Sequence, residues 1–64
     1  MKNVLKTIRK AQGLSQQDLA ERLGVSRQSI ISIERERYDP SLELALKIAK
    51  TFGTAVEDIF FLEG

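Results

Sequence analysis

Residues 27–35 read Arg-Gln-Ser-Ile-Ile-Ser-Ile-Glu-Arg, and their polar side chains bind without reacting. The Gln28 amide holds a donor and an acceptor in one plane, which matches N6 and N7 of adenine. A guanidinium such as that of Arg27 makes the same two-point contact with O6 and N7 of guanine, and each such pair discriminates between bases by about 1–3 kcal/mol. Spacing decides whether these groups share a face. On a helical wheel of about 100° per residue with Gln28 at zero, Ile30 and Ile33 lie near about 200° and 140°. Ser32, Arg35, Ile31 and Arg27 fall on the opposite side. Ser29 sits on the boundary but in the first turn, where a groove-docked helix presents residues to bases. The candidate base-reading residues are therefore Arg27, Gln28, Ser29 and Ser32. A phosphate is the alternative partner for Arg27, and Ile31 needs no role beyond that of a scattered surface isoleucine. On an arbitrary helix the same residues would be plain solvated helix formers. What matters is whether the neighbouring elements could hold this helix against a duplex.

Just upstream, Ser15 is placed to cap a helix, with Asp18 three residues on as the acidic half of a capping box. Leu19, Ala20 and Leu23 then recur at helical spacing, and small Ala20 marks where two helices can cross closely. Gly24 supplies the left-handed residue that ends this helix, Val25 fills the corner, and Ser26 caps the helix carrying Gln28. Two short helices across a tight turn make a helix-turn-helix. Before it, Asn3 can cap a first helix of roughly ten residues with the stripe Val4, Leu5, Ile8 and Ala11, stopped by Gly13. After it, Arg35 to Pro40 lack apolar spacing and read as a loop. Ser41 starts a fourth helix with the stripe Leu42, Ala45, Ile48, Ala49 and Phe52, stopped at Gly53. Thr54 and Glu57 form a capping box for a short fifth helix carrying Val56, Ile59 and Phe60. Phe61-Leu62-Glu63-Gly64 are too few for a sixth helix, and can extend as a strand against Met1-Lys2-Asn3. The expected fold is all-α, five short helices in one domain over residues 1–64, with a small terminal two-stranded β-ribbon.

Composition narrows the function. The 64 residues contain no cysteine and no histidine, and 42% are hydrophobic. Disulfides, thiolate chemistry and histidine-based metal or proton-transfer sites are excluded, and a reducing cytoplasm is the natural compartment. The nine acids show no inward-facing pair at metal or acid–base spacing, so neither an enzyme nor a cofactor or metal site is expected. Charges interrupt every apolar run, so no signal peptide or membrane span is expected. Net charge is only +1, but it is unevenly spread: residues 1–38 carry +4 and residues 39–64 carry −3. One end of the molecule can thus be positive while the other is not.

The residues Leu14-Ser15-Gln16, Leu19-Ala20, Leu23-Gly24-Val25-Ser26, Ile30 and Ile33-Glu34 resemble the Cro/repressor-type (Xre) helix-turn-helix family of phage and bacterial transcription regulators. The likeness continues through Tyr38-Asp39-Pro40-Ser41-Leu42 and Leu46-Lys47-Ile48-Ala49, and so covers nearly the whole chain. It implies a lambda-repressor-like DNA-binding domain, usually homodimeric, whose third helix docks in the major groove. It also implies a phosphate contact for Gln16 and a largely buried ion pair between Arg9 and Glu34. Gln17 beside the same cap, and Arg35, Arg37 and Tyr38 beyond the third helix, are further backbone candidates. Lys6 and Lys10 read as plain solvated charges. One departure stands out: relatives usually carry Asn-Gly after the position of Glu34, and this chain has Arg35 and Glu36. Either the third helix runs about a turn longer or Glu36 bears a strained turn.

One module of this size leaves a small footprint. A homodimer would place two such helices on half-sites about 34 Å apart on an inverted repeat. Apolar residues beyond the expected core needs are Val56, Phe60, Phe61 and Leu62, with Pro40 and Ala55 nearby, and they form the expected dimer face. Sixty-four residues leave no room for a separate sensing or activating domain, which favours a repressor. The alternative is an antitoxin-like module that binds a protein toxin and autoregulates its operon.

Overall fold

Three serines set the starts of three helices. In the computed structural model of the chain, which describes residues 1–62, the hydroxyl of Ser15 accepts from the Asp18 N–H at 2.9 Å. Ser26 accepts from Ser29 at 3.1 Å and Ser41 from Leu44 at 3.1 Å. They open α2 (Gln16–Leu23), α3 (Arg27–Glu34) and α4 (Leu42–Phe52), and α1 (Leu5–Ala11) precedes them. The capping box is complete, since the Asp18 carboxylate accepts from the Ser15 N–H at 3.0 Å.

All four helices end in the same way. After each last turn two successive N–H groups reach back to two carbonyls, as in Gly24 to Glu21 and Val25 to Ala20 in α2. This Schellman arrangement requires a left-handed residue at its centre. Glycines 13, 24 and 53 supply it for α1, α2 and α4. At the end of α3 the residue is Glu36, with φ 61°, its N–H on Ile33 and that of Arg37 on Ser32, both at 3.0 Å. Of the two outcomes expected at this departure, the chain takes the strained turn, and α3 stops at Glu34.

Leu5, Leu19, Ile30, Ile33, Ile48 and Ile59 are fully buried and form the centre of the core, with Ala20 of α2 buried among them. The apolar stripes shift slightly from the expected ones. In α4 the inward residues are Leu44, Ala45, Ile48 and Ala49, whereas Leu42 is 73% exposed. Leu44 and Ile48 lie one turn apart and set the buried face, and Leu42 lies in the first turn, ahead of the covered stretch. Ala11, in the last turn of α1, is likewise exposed.

The termini correct the expected fifth helix and ribbon. Val56–Asp58 form a single 3-10 turn rather than an α-helix, so the chain has four α-helices among the described residues. The Asp58 carboxylate takes the Ala55 N–H at 3.3 Å, one residue on from the expected Thr54–Glu57 pairing. The Ile59 carbonyl then accepts from the Val4 N–H at 2.9 Å instead of continuing a helix. The ribbon is present but earlier than expected: β1 (Lys2–Asn3) pairs antiparallel with β2 (Phe60–Phe61), Lys2 opposite Phe61 and Asn3 opposite Phe60. The Glu63 and Gly64 part of the expected strand lies outside the described residues. Because residues 2 and 3 belong to the ribbon, α1 is shorter than the ten residues expected. The cap position falls at Val4 rather than at Asn3, and Asn3 bonds the helix start from one residue earlier, its Oδ1 accepting from the Leu5 N–H at 3.1 Å. No helix among the described residues is long and apolar enough to cross a membrane.

Candidate nucleic-acid interface

The sequence of α3 divides it into a sealed face and an open one. Ile30 and Ile33 are fully buried, while Arg27 and Gln28 are exposed and Ser29 and Ser32 half-buried. The Gln28 amide donates to the Ser32 hydroxyl at 3.4 Å, a long bond that leaves the amide free to exchange partners. The Ser29 and Ser26 hydroxyls lie 3.0 Å apart, so part of the capacity of Ser29 is used within the cap. Gln28, Ser29 and Ser32 surround a shallow concavity of about 250 Å³, and its fourth wall is Tyr38. Tyr38, expected beside Arg35 and Arg37 as a backbone group, thus stands next to the reading face.

A second concavity, of about 400 Å³, gathers Gln16, Gln17 and Arg27 with Lys6, Arg9, Lys10 and Ser15. It contains no acidic side chain. Arg27, at the first position of α3, belongs to this cleft rather than to the one around Gln28. Arg35 and Arg37 project from the far end of α3 on either side of Glu36, and all three are exposed. The structure therefore arranges the candidates in three groups: Gln28, Ser29, Ser32 and Tyr38; Gln16, Gln17 and Arg27; and Arg35 with Arg37. Lys6 and Lys10, which read from the sequence as plain solvated charges, line the second concavity as well.

Behind these surfaces lies a buried polar knot. The Arg9 Nε donates to Glu34 Oε2 at 2.6 Å and its Nη2 to Oε1 at 3.2 Å, with the two side chains only 6% and 3% exposed. The Arg9 Nη1 donates to the Leu14 carbonyl at 2.8 Å, and the Gln16 Nε2 donates to Glu34 Oε1 at 3.2 Å. Such a pair stabilises only when its remaining donors and acceptors are satisfied, and here no buried side-chain polar atom among the described residues lacks a partner. The knot fixes the end of α3 to α1 and to the first residue of α2. A second tie comes from the ribbon, where the Asn3 Nδ2 donates to the Ile33 carbonyl at 2.9 Å. At the rim of α2, the Ser15 backbone N–H, and after it the Ser15 hydroxyl, hold the Asp18 carboxyl below its ordinary value, and Arg22 acts in the same direction.

Of the residues expected at a dimer face, Ala55, Phe61 and Leu62 are exposed and Pro40 and Val56 half-buried. Phe60 is 6% exposed and is taken up by the chain's own core. Leu42 and Leu46, one turn apart on α4, are further exposed apolar residues.

Known proteins are similar to this chain in sequence and in fold. The helix-turn-helix family profile matches residues 5–59. An uncharacterized HTH-type transcriptional regulator of Methanocaldococcus jannaschii is 62% identical over 63 residues, which span 98% of this chain and 96% of that one. The immunity repressor protein of Bacillus phage phi105 is 42% identical over 55 residues, 86% of this chain and 38% of the repressor. The crystal structure of the restriction-modification controller protein C.AhdI from Aeromonas hydrophila matches with a TM-score of 0.79 at 34% identity, over 88% of this chain and 85% of that one. From its capped helix pair to its relatives, the chain belongs to the Xre-type helix-turn-helix family of DNA-binding transcriptional regulators.

Proposed function

We propose that this protein is a sequence-specific repressor that binds an inverted-repeat operator as a homodimer, with α3 in the major groove, in the cytoplasm at the nucleoid. The observation that carries the reading is the split of α3 between fully buried Ile30 and Ile33 and an open row of hydrogen-bonding side chains. Gln28, Ser29 and Ser32 read base edges. Gln16, Gln17, Arg35 and Arg37 hold phosphates, and Arg27 joins them because its cleft is that of Gln16 and Gln17. Tyr38 borders the base-reading group. The likeness to a phage immunity repressor supports repression over activation. Exposed Phe61 and Leu62, with Ala55, Val56 and Pro40 beside them, supply the dimer face.

Selection of genomic fragments with the purified protein, followed by titration across salt, tests the reading. An enriched inverted repeat whose affinity falls with salt is expected. On that site Gln28→Ala is expected to relax sequence selectivity, whereas Gln16→Ala weakens all duplexes about equally. Absence of a preferred repeat, or the reverse pattern in the two variants, would sink it.

A further inference from the structure

Resting on the DNA-binding reading, we propose that Lys6 and Lys10 of α1 are DNA-backbone ligands, forming with Arg27, Gln16 and Gln17 a phosphate-binding cleft beside the reading helix. Both lysines line the concavity of about 400 Å³ that those three residues share. Their spacing of four residues puts their Cβ atoms about 5–6 Å apart on one face of α1, and long flexible stems let each ammonium reach its own phosphate. Among the described residues neither Lys6, Lys10 nor Arg27 has an ion-pair partner within 4.0 Å, although Lys47 and the amino terminus do. Three acids bond to residues of the cleft, Glu34 to Arg9 and Gln16, Glu21 to Gln17, and Asp18 to Ser15, but none of the three lines it. Lys6, Lys10 and Arg27 therefore bring three unpaired cations to the cleft beside the paired Arg9, and no acid lines it to repel a polyanion.

This assigns to α1 a role in holding the duplex that is separate from reading it. A phosphate contact releases a condensed counterion and contributes about 0.9 to the slope of log K against log salt. Loss of both lysines should lower that slope by about 1.8 for each protomer bound. The fall in affinity between about 50 and 200 mM salt then becomes about tenfold smaller per protomer.

The test measures binding to a scrambled-sequence duplex and to the selected inverted repeat for wild type, Lys6→Gln/Lys10→Gln, Lys6→Arg/Lys10→Arg, and Lys2→Gln/Lys50→Gln. The last variant removes the same charge from residues outside both concavities. The expected result is a reduced slope on both duplexes for the first variant alone, with its preference for the inverted repeat intact. Arginine should restore the slope, because charge rather than stem packing is at issue. An unchanged slope, or an equal fall in the Lys2/Lys50 control, overturns the cleft while leaving the repressor reading standing. A wild-type protein that binds neither duplex overturns both.

Discussion

Replacing Glu36 with glycine should make the protein more stable and tighten its grip on DNA, for two separable reasons. The first is backbone strain. Glu36 occupies the left-handed position of the α3 terminus at φ 61°, which costs a residue with a Cβ about 1–2 kcal/mol. Glycine removes that cost, but its greater freedom in the unfolded chain returns about 0.4–1 kcal/mol. The net gain is about 0.5–1 kcal/mol, or roughly 2–8 °C in melting temperature for a domain of this size. The second reason is electrostatic, since Glu36 places a carboxylate between Arg35 and Arg37 on the face assigned to the phosphates. Glu36→Gln removes the charge and keeps the strain, while Glu36→Ala removes the charge and keeps a Cβ. Thermal unfolding by circular dichroism should therefore rank glycine above wild type, with glutamine and alanine close to wild type. Binding to a scrambled duplex at low salt should improve in all three variants, and the improvement should shrink as salt screens it. A glycine variant that melts at or below the wild-type temperature would refute the strain assignment, because the turn would then have been accommodated without cost. Unchanged binding in all three would place the Arg35–Arg37 segment away from the backbone.

Other perturbations address the knot, the cap and the dimer face. Arg9→Met or Glu34→Met strands one buried charge at about 3–5 kcal/mol, a large part of the about 3–10 kcal/mol available to a chain of this length. Urea unfolding should show most of that loss recovered in the double Met variant, and a single-variant loss below about 1 kcal/mol would contradict the burial. Asp18 contributes stability that is present above the ordinary carboxyl value of 3.8 and lost as pH falls below it, because its folded-state value is depressed. Asp18→Asn should accordingly be less stable than wild type near neutrality, with the gap closing below pH 3.8; a gap constant across that range would dissociate Asp18 from the Ser15 cap. Leu62 is 85% exposed, so Leu62→Glu should leave folding intact and shift sedimentation from dimer to monomer. A dimer that persists in that variant and in Phe61→Glu would move the interface elsewhere, with exposed Leu42 and Leu46 next in line.

Much of the fold was legible because its signals are local. Each serine cap and each glycine stop acts within four residues, and α2 follows from them to the residue, as does the start of α3, whose end has no glycine to mark it. What was not legible depended on contacts between distant parts of the chain. The fifth helix gave way because the Val4 N–H claims the carbonyl of Ile59, a pairing that no local pattern announces. Leu42 and Leu44 lie about 200° apart at the two edges of the stripe set by Ala45, Ile48 and Ala49, and only the packing of α4 against the rest of the chain decides which edge is covered. At the interface, the wheel separated Gln28 from Ile30 and Ile33 correctly. It could not show that Arg27 turns toward Gln16, or that Tyr38 folds back beside Gln28, since both follow from how α1, α2 and the loop after α3 meet.

The bond from Asn3 to the last turn of α3 has a mechanical consequence. Asn3 lies in the ribbon opposite Phe60, and the next residue on that strand, Phe61, belongs to the proposed dimer face. The distance from that face to the reading helix is thus bridged by one ladder and one side-chain amide, with no flexible linker between them. Two protomers joined this way would hold their reading helices at a nearly fixed separation and phase. Such a regulator should tolerate substitutions within its half-sites far better than a change of one base pair in the spacer between them.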